Sequence, residues 1–526
     1  MSQEGIYPNE VIGLQSLLLN FSENGVSEVC QDLIRMKQFD TLVKVQQLVD
    51  NILILILSRP LKISEIADMC LNIREGSKNL PYGGSFVPLL IVSTIRKISR
   101  GKKRYFYYYG DNPLLSERGR FLYFGIKNGL FSEQDVVNEY SYSITSNNIN
   151  NCLMLFPYIC IFINKHHPAL FRKIMTTPFY DKLMKGFINN YDYFEKNNYE
   201  KLHEYILYYG EKHSLVSALV IDDIDTFRSI SLDPGFDFHR LLESGIFSPS
   251  EAYRLDLTCK IIAALSNSIQ CYKHIQLNST IRDSDETNFS LLIGYATAGG
   301  SIDILHMIKN EGIPEFGYLE ILKKSLLYHH NSIYEWAMSN IETPIEEENV
   351  IRMLRDSSRL NNVYGFYSCI ELIKEIFPKM TLNNELTNVI LGKCFIWDSP
   401  DILKFCLDSD LFFVPIEFND CVNNWRSLYY FIESKMITLK QEEKDLLVMK
   451  CAQYDYDDSL RILVSFFRID PSFAFLHAVE NGSVSVVEYI ITNFFSSIGS
   501  DMDLAIQSAS KHSNKYLMNY IKSFNK

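Results

Sequence analysis

The sequence predicts an all-α protein in which a helical N-terminal domain, residues 1–195, precedes an α-solenoid of helix–turn–helix repeats, residues 196–526. Two observations support this prediction. The chain has 526 residues, whereas a single compact core seldom grows beyond about 250 to 300 residues. The segment 291–336 also contains two consecutive pairs of short amphipathic helices, each pair joined by a short turn.

The N-terminal region has helical periodicity without a clean repeat. Apolar residues three positions apart between Cys30 and Val49 predict a helix there, and the Ser58-Arg59-Pro60 segment ends the apolar run that follows. Ser64 is predicted to cap the next helix, and the glycine-rich segment 76–84 is predicted to be a turn. Strand-like alternation is confined to residues 105–109.

From about residue 200 onward, one pattern recurs: a small or polar turn, an apolar pair, and another apolar residue about three positions later. The clearest copies are Asp223–Ile230, Asn267–Ile275, Gly300–Ile308, Asn331–Met338, Ser399–Leu407, Asp458–Phe466, Gly482–Ile490 and Ser513–Ile521. Such self-similarity at a fixed period is typical of stacked helical repeats, because one pair cannot bury its apolar face alone. About eight to ten pairs fit the available length.

The spacing of the copies tests the repeat prediction. Cys271 and Ile304 lie 33 residues apart, and Ile333 follows after a further 29 residues. Ankyrin repeats have a period near 33 residues, so these intervals favour degenerate ankyrin-like repeats. The interval of 45 residues between Thr226 and Cys271 predicts a longer insert at about 231–257. Residues 500–526 are predicted to form a polar C-terminal cap.

Particular residue types explain how each turn is made. Ala298 before the turn allows consecutive helices to approach closely, and Gly300 and Gly482 can supply the positive φ that ends a first helix. Gly299-Gly300 and His329-His330 are interpreted as equivalent turns. The residues that define the repeats are Cys271, Ala298, Gly299, Gly300, Ile304, Ile333, Trp336, Gly482 and Val486.

With these residues in view, the chain resembles the expanded families of degenerate ankyrin-repeat proteins of parasitic protists. The resemblance is strongest over about 195–345, in the segments 221–227, 268–273, 298–304 and 328–336. It implies protein binding as a class of function and identifies no partner. The chain departs from the general ankyrin pattern because no repeat begins with Thr-Pro-Leu-His. We therefore expect shortened or absent finger loops.

Composition and charge limit the classes of function. The net charge of −12 disfavours a chain that binds nucleic acid over its whole length. Eleven cysteines without a Cys-x-x-Cys motif predict reduced, buried thiols and a cytoplasmic or nuclear location. The apolar runs are too short to span a bilayer, so we expect no membrane span. The sequence does not predict the oligomeric state.

Candidate chemical sites are weak. The histidine pairs His166-His167 and His329-His330 lack a third ligand at useful spacing, so turn positions are the favoured interpretation over metal sites. We find no catalytic, cofactor-binding or metal-binding motif, and we expect no cofactor. Trp336 occupies an apolar repeat position and is expected to pack in the core.

One basic stretch stands out against the acidic background. A candidate phosphate-binding or partner-binding patch comprises Arg96, Lys97, Arg100, Lys102, Lys103 and Arg104, which precede a run of aromatic residues. Basic side chains beside stackable rings can hold single-stranded nucleic acid, and the same segment resembles a nuclear-import signal. A solvated loop with no function is the favoured interpretation.

The sequence therefore predicts a non-enzymatic protein–protein interaction scaffold that acts through the concave face and the inter-repeat turns of an ankyrin-like array. Two alternatives stay open. One is a nuclear or nucleic-acid-associated factor that uses residues 96–109. The other is an enzyme whose dispersed site lies in the N-terminal half.

Overall fold

The structure is a computed structural model. It describes residues 6–21, 25–99, 115–146, 152–177, 182–242, 245–247, 257–279, 286–313, 315–342, 344–376, 399–408, 422, 424–434, 439–511 and 515–524. Within these ranges the chain is almost entirely helical, so the predicted all-α class is confirmed. Among the described helices, none combines the length and hydropathy needed to cross a bilayer.

Twelve helices are described in the N-terminal part. They are α1 (Ile6–Leu19), α2 (Val26–Arg35), α3 (Leu42–Ser58), α4 (Ile63–Ser77), α5 (Phe86–Ser99), α6 (Leu115–Lys127), α7 (Glu133–Ser146), α8 (Phe156–His166), α9 (Pro168–Met175), α10 (Lys182–Asn189), α11 (Tyr191–Lys196) and α12 (Glu200–Tyr208). Short 3-10 turns lie at Pro60–Lys62, Gly83–Ser85 and Leu153–Leu155.

The remaining helices are α13 (Leu215–Val220), α14 (Ile224–Ser231), α15 (Cys259–Leu265), α16 (Ile269–Asn278), α17 (Glu286–Ala298), α18 (Ile302–Gly312), α19 (Glu315–Leu327), α20 (Asn331–Met338), α21 (Glu347–Arg359), α22 (Val363–Ile376), α23 (Pro400–Asp408), α24 (Trp425–Glu433), α25 (Gln441–Tyr454), α26 (Asp457–Phe466), α27 (Pro471–Asn481), α28 (Val484–Ile498), α29 (Met502–Lys511) and α30 (Lys515–Phe524), with a 3-10 turn at Gly499–Asp501 before α29. Two strands, β1 (Leu241–Leu242) and β2 (Leu257–Thr258), pair antiparallel inside the segment between α14 and α15.

Buried apolar side chains form two clusters. One covers residues 14–206 together with Ile246 and Phe247. The other covers residues 209–521 together with Val11. The first helix therefore contributes to both cores, and the segment before β2 returns to the N-terminal core. The nine described cysteines are buried and form no disulfide.

Helix pairs stack on one another along the C-terminal part. First helices pack on first helices through α13, α15, α17, α19 and α21, and again through α25, α27 and α29. Second helices pack likewise, as α24, α26 and α28 do. The N-terminal part stacks in the same way, because α2, α4, α6 and α8 pack in one row and α3, α5 and α7 in another. The sequence did not predict this N-terminal pairing. The ankyrin-like identity of the C-terminal array stays a prediction.

Seven described turns between paired helices of the C-terminal part share one backbone geometry. Each has a residue with positive φ, and the N–H of the next residue donates to a carbonyl five residues earlier at 2.8 to 3.0 Å. This bond satisfies a carbonyl that the helix end would otherwise leave unpaired. The positive-φ residues are Asp222, Asn267, Gly300, His329, Asn361, Asp455 and Gly482. Gly300 and Gly482 thus have the positive φ predicted from the sequence.

Three sequence predictions need correction. His329 corresponds to Gly300, not Gly299, because these two residues have the positive φ; the predicted equivalence is shifted by one residue. The predicted helix from Cys30 to Val49 is two helices, because Lys37 has positive φ and the N–H of the next residue, Gln38, closes a turn on Leu33. Helix α4 begins at Ile63, so Ser64 is not its cap.

Candidate functional site

Side chains in the turns link neighbouring helix pairs. The Asp222 carboxylate accepts hydrogen bonds from the N–H groups of Gln270 and Cys271 at 3.1 and 2.9 Å, at the start of α16 in the next pair. Asp455 accepts from Val486 N–H at 3.0 Å at the start of α28. These two aspartates therefore cap the second helix of the following pair, which fixes the position of one pair on the next.

Side chains in the turns also donate hydrogen bonds to the preceding helix pair. Asn362 donates from its side-chain amide to the Leu326 carbonyl at 2.7 Å, and Ser483 donates from its hydroxyl to the Ala452 carbonyl. These acceptors lie in the preceding helix pair, so the described turns form a row in which polar contacts link neighbouring pairs. The sequence predicts partner binding at the concave face and at these turns.

The N-terminal helices cover part of that row. From α1, Gln15 donates to the Asn361 carbonyl at 2.7 Å and accepts from Val363 N–H at 3.2 Å. From α3, Gln47 donates to the Asp401 carboxylate at 2.7 Å. These contacts bury the turns of the middle helix pairs, so those turns are not open to a partner.

A buried ion cluster lies at the centre of this contact. Arg426 at the start of α24 pairs with Asp50 of α3 at 2.5 Å and with Asp401 of α23. Asn361 donates to Asp401 at 2.6 Å. Arg426 and Asp401 have no solvent-exposed surface, and Asp50 is 5% exposed. Charges withdrawn from water are tolerated only when they are paired and hydrogen-bonded, so this cluster fixes the register between α3 and the array.

The contact between the two parts continues at the far end of the array. Tyr142 of α7 donates to the Ser485 hydroxyl, and Ser485 donates to the Asp455 carboxylate at 2.9 Å. The side chain that caps α28 is thus linked to an N-terminal helix. The two parts are joined at both the middle and the C-terminal end of the array.

Beside this second contact lies a cleft of about 870 Å³. Helices α5 and α7 form one wall, and α26, α28 and α30 form the other. The α5 side is apolar and includes Val87, Pro88 and Val92, with Ile91 buried behind them. The volume lies within the range of pockets that bind ligands, about 300 to 1,000 Å³. Both halves of the chain are needed to form it.

The lining of the cleft is acidic. Asp135 and Glu139 project from α7, and Asp457 and Glu488 line the opposite wall. Among the described lining residues Arg461 is the one cation, and its guanidinium lies 3.5 Å from Asp457 and 4.6 Å from the centre of the Tyr489 ring. These described residues thus comprise four carboxylates and one guanidinium that already has an acidic and an aromatic neighbour. A low-dielectric wall beside such a group of charges concentrates its field within the cleft.

The histidine pair at 329–330 belongs to the row of turns. His329 donates through Nε2 to the Leu360 carbonyl at 2.8 Å, and His330 donates through Nε2 to the Ala298 carbonyl at 3.1 Å. Burial lowers the pKa of His329 to about 4. Burial, and then the charge of Arg59, lowers the pKa of His330 well below its usual range. Both imidazoles are therefore neutral at pH 7, and their role is to donate hydrogen bonds to backbone carbonyls of neighbouring turns.

The basic stretch predicted from the sequence lies mostly outside the described residues. Arg96 and Lys97 lie in the last turn of α5, and the structure describes nothing of their side chains. Arg100, Lys102, Lys103 and Arg104 lie outside the described ranges, as do residues 105–109. The binding patch therefore stays a prediction.

The predicted repeat-defining residues take structural positions. Ile304, Ile333 and Val486 are buried, and Cys271 is buried beside the Ala218 carbonyl. Trp336 is only half-buried. Its ring contacts His306 at 5.2 Å and Tyr318 at 6.1 Å between ring centres, so Trp336 lies at the edge of the core.

Close packing explains the glycine and alanine of the turn at 298–300. A Cβ atom added at Gly299 would come within 2.2 Å of the Leu265 carbonyl oxygen in the preceding pair. Ala298 is 7% exposed, and its carbonyl accepts the hydrogen bond from His330. A larger residue at position 299 would therefore force neighbouring pairs apart.

Sequence reasoning missed the ion cluster and the cleft. A signal for the cluster was present, because Gln47, Asp50 and Asn51 follow helical spacing on one face of α3, a helix made mostly of apolar residues. Polar residues at such spacing in an apolar helix indicate a buried polar partner. That partner, Arg426, is 376 residues away in the chain and has no local signature.

Potential metal ligands and thiols are the remaining groups with possible chemistry. Within the described ranges, no group of three or more His, Cys, Asp or Glu side chains is placed to hold a metal ion. Burial raises the pKa of Cys152 to about 12 and that of Cys259 to about 11, so these thiols stay protonated. No protein-family model matches the chain, and no curated protein shows significant similarity to it.

Proposed function

We propose that this chain is a non-enzymatic protein–protein interaction scaffold that binds its partner in the cleft between α5–α7 and α26–α30. The observation that supports this function best is the cleft itself, which is built from both ends of the chain. The hydrogen bond from Tyr142 to Ser485 joins its two walls, and the buried ion cluster joins the two parts of the chain outside the cleft. A preformed site loses little conformational entropy on binding, so its contacts contribute more fully to affinity.

The proposed binding surface differs from the concave face and inter-repeat turns that the sequence predicts. The middle turns of the array are covered by α1 and α3, whereas the cleft lies at the C-terminal end of the same array. The resemblance to degenerate ankyrin-repeat proteins supports protein binding as the class of function. The alternative of a nuclear or nucleic-acid-associated factor that uses the basic stretch at 96–109 stays a separate prediction.

The test is quantitative affinity capture with the full-length chain carrying a substitution that fills the cleft. Asn493 lines the cleft, is exposed, and donates to the carbonyl four residues earlier at 2.7 Å. Asn481 is a matched control, because it is exposed outside the cleft lining and donates in the same way at 2.8 Å. Trp at position 493 should obstruct the cleft, whereas Trp at position 481 should not.

We expect Asn493→Trp to lose the proteins that the unmodified chain captures, and Asn481→Trp to retain them. Circular dichroism and thermal unfolding of both variants establish that they are folded. If the folded Asn493→Trp variant captures the same proteins in the same amounts as the control, the cleft is not the binding site and the proposal fails.

A further inference from the structure

The α5 side of the cleft is an apolar wall, whereas α7, α26 and α28 carry carboxylates, and this combination restricts the kind of partner that fits. Val87, Pro88 and Val92 present aliphatic surface along α5, and Pro88 is exposed. Burying such surface against a partner's aliphatic side chains contributes about 25 cal/mol for each Å² removed from water. The apolar wall therefore favours a segment with aliphatic side chains on one face.

The other lining groups favour positive charge on the same segment. Asp135 is exposed on α7, and Glu488 is half-buried on α28 across the cleft. Glu488 accepts a hydrogen bond from the Tyr516 hydroxyl at 3.0 Å, which holds the carboxylate in place. Among the described lining residues, these two carboxylates and those of Glu139 and Asp457 outnumber the single guanidinium of Arg461. Lys or Arg side chains would reduce the repulsion among the carboxylates.

Other cationic or charged ligands fit less well. The carboxylates are spread over both walls, and among described residues they form no group suited to a metal ion. Phosphates of nucleic acids or anionic lipids would be repelled by the same charges. A peptide segment can place cationic and aliphatic side chains alternately, which matches an apolar surface along α5 and carboxylates on the helices around it.

We infer that the cleft binds a basic, amphipathic peptide segment of a partner protein, with Lys or Arg side chains toward α7 and α28 and aliphatic side chains against α5. This inference rests on the proposed function and names the chemistry of the partner. Electrostatic complementarity of this kind contributes chiefly to specificity and to the rate of association.

The test is fluorescence anisotropy with the full-length chain and two labelled synthetic peptides. One peptide alternates Lys and Leu over about ten residues, a length of up to about 35 Å when extended. The other has Glu in place of every Lys. We expect the Lys–Leu peptide to bind and the Glu–Leu peptide not to bind at about 0.1 M salt. Raising the salt concentration to about 1 M, where screening acts within about 3 Å, should weaken binding.

Charge reversal locates the binding. The double variant Asp135→Lys and Glu488→Lys should bind the Lys–Leu peptide about tenfold more weakly, because two attractions become repulsions. The control reverses Asp225 and Glu347, which lie in the first turns of α14 and α21, are exposed and are not among the cleft-lining residues. Both variants have the same net charge. The control should change the affinity less than about twofold, because charges beyond about 10 Å are screened at 0.1 M salt.

The outcomes separate the inference from the proposed function. Equal effects of the two double variants, or no preference for the Lys–Leu peptide, would overturn the assignment of a basic partner. The scaffold proposal would then still stand if Asn493→Trp abolishes capture of cellular proteins. If Asn493→Trp abolishes neither cellular capture nor peptide binding, both the proposed function and the partner chemistry are wrong.

Discussion

The N-terminal part and the C-terminal array are both built from stacked helix pairs, but different interactions hold them together. The N-terminal core is rich in rings: Phe187 contacts Phe156 at 6.1 Å, Tyr191 at 6.2 Å and Phe194 at 5.8 Å between ring centres. First helices of the array instead bury small residues such as Ala263 and Ala478. Small residues let helices approach closely, whereas rings fill wider and less regular spaces.

The turns differ in the same sense. Array turns repeat one geometry and place a polar side chain on the neighbouring pair. In the N-terminal part, Lys37 also has positive φ, but its side chain is exposed and caps no neighbouring helix. Regular turns therefore allow many pairs of short helices to stack, while aromatic packing supports helix pairs that are joined by irregular connections. The buried ion cluster then joins the two parts.

The largest effect should follow from breaking that cluster. Arg426→Ala leaves Asp50 and Asp401 buried without their guanidinium, and removing one partner of a buried pair costs about 3 to 5 kcal/mol. Denaturant unfolding measures the change. Arg352→Ala is the control, because Arg352 pairs with Glu348 at 2.5 Å but is 47% exposed, so we expect a loss below about 1 kcal/mol. Similar losses for both variants would contradict a structural role of the cluster.

The histidine pair predicts a loss of stability at acidic pH. Because the folded-state pKa of His329 is lowered to about 4 from 6.5, its contribution is present above pH 6.5 and is lost as pH falls toward about 4. The shift corresponds to an effect on the order of 3 kcal/mol. The double variant His329→Asn and His330→Ser keeps the turn, since Asn361 and Ser301 occupy the equivalent positions.

Chemical unfolding across that pH range should show a shallower loss for the double variant than for the unmodified chain. Carboxylates titrate in both proteins, so the difference between the two curves isolates the histidines. Parallel curves would show that neither imidazole is held neutral by the turn.

A smaller loss of stability should follow from adding a side chain at Gly300, where the turn packs closely against His330. Gly300 has a φ of 71°, and a Cβ atom there would lie 2.4 Å from Cε1 of His330. Gly300→Ala should therefore cost about 2 kcal/mol, from backbone strain and from the displaced ring. In the His330→Ser background the ring is absent, so the same substitution should cost less. A double-mutant cycle measures this coupling, and additive losses would exclude the ring contact.

The smallest change in stability is expected from glycine substitutions that compare an array turn with an N-terminal turn. Gly tolerates positive φ, so Asp455→Gly removes the cap on α28 without strain, and we expect a loss of about 1 kcal/mol. Lys37→Gly makes the same backbone change where no cap exists, so it should be neutral or slightly stabilising. Thermal unfolding of both variants would contradict the comparison if Lys37→Gly were the more damaging substitution.

Part of this structure was predictable from the sequence because it depends on neighbouring residues. The helical period and the glycines at 300 and 482 indicated helices and turns correctly. The non-glycine turn residues, such as Asn361 and Asp455, were harder to identify, because Asn and Asp adopt positive φ only where the turn requires it.

The site was not predictable for a different reason. Its residues come from distant segments: Tyr142 meets Ser485 across 343 positions, and the cleft walls come from helices at opposite ends of the chain. A single sequence carries no record of such pairings. The N-terminal pairing of helices was also missed, because its connections vary in length and conformation.

Hydrogen–deuterium exchange of the full-length Arg426→Met variant tests the central claim, that the two parts are joined into one unit that presents a preformed cleft. Met keeps side-chain volume and removes the charge. We predict faster amide exchange in both α3 and α24 relative to the unmodified chain, with α10 to α12 unchanged. Faster exchange in α24 alone, with α3 fully protected, would show that the two parts are stable independently and would contradict the account.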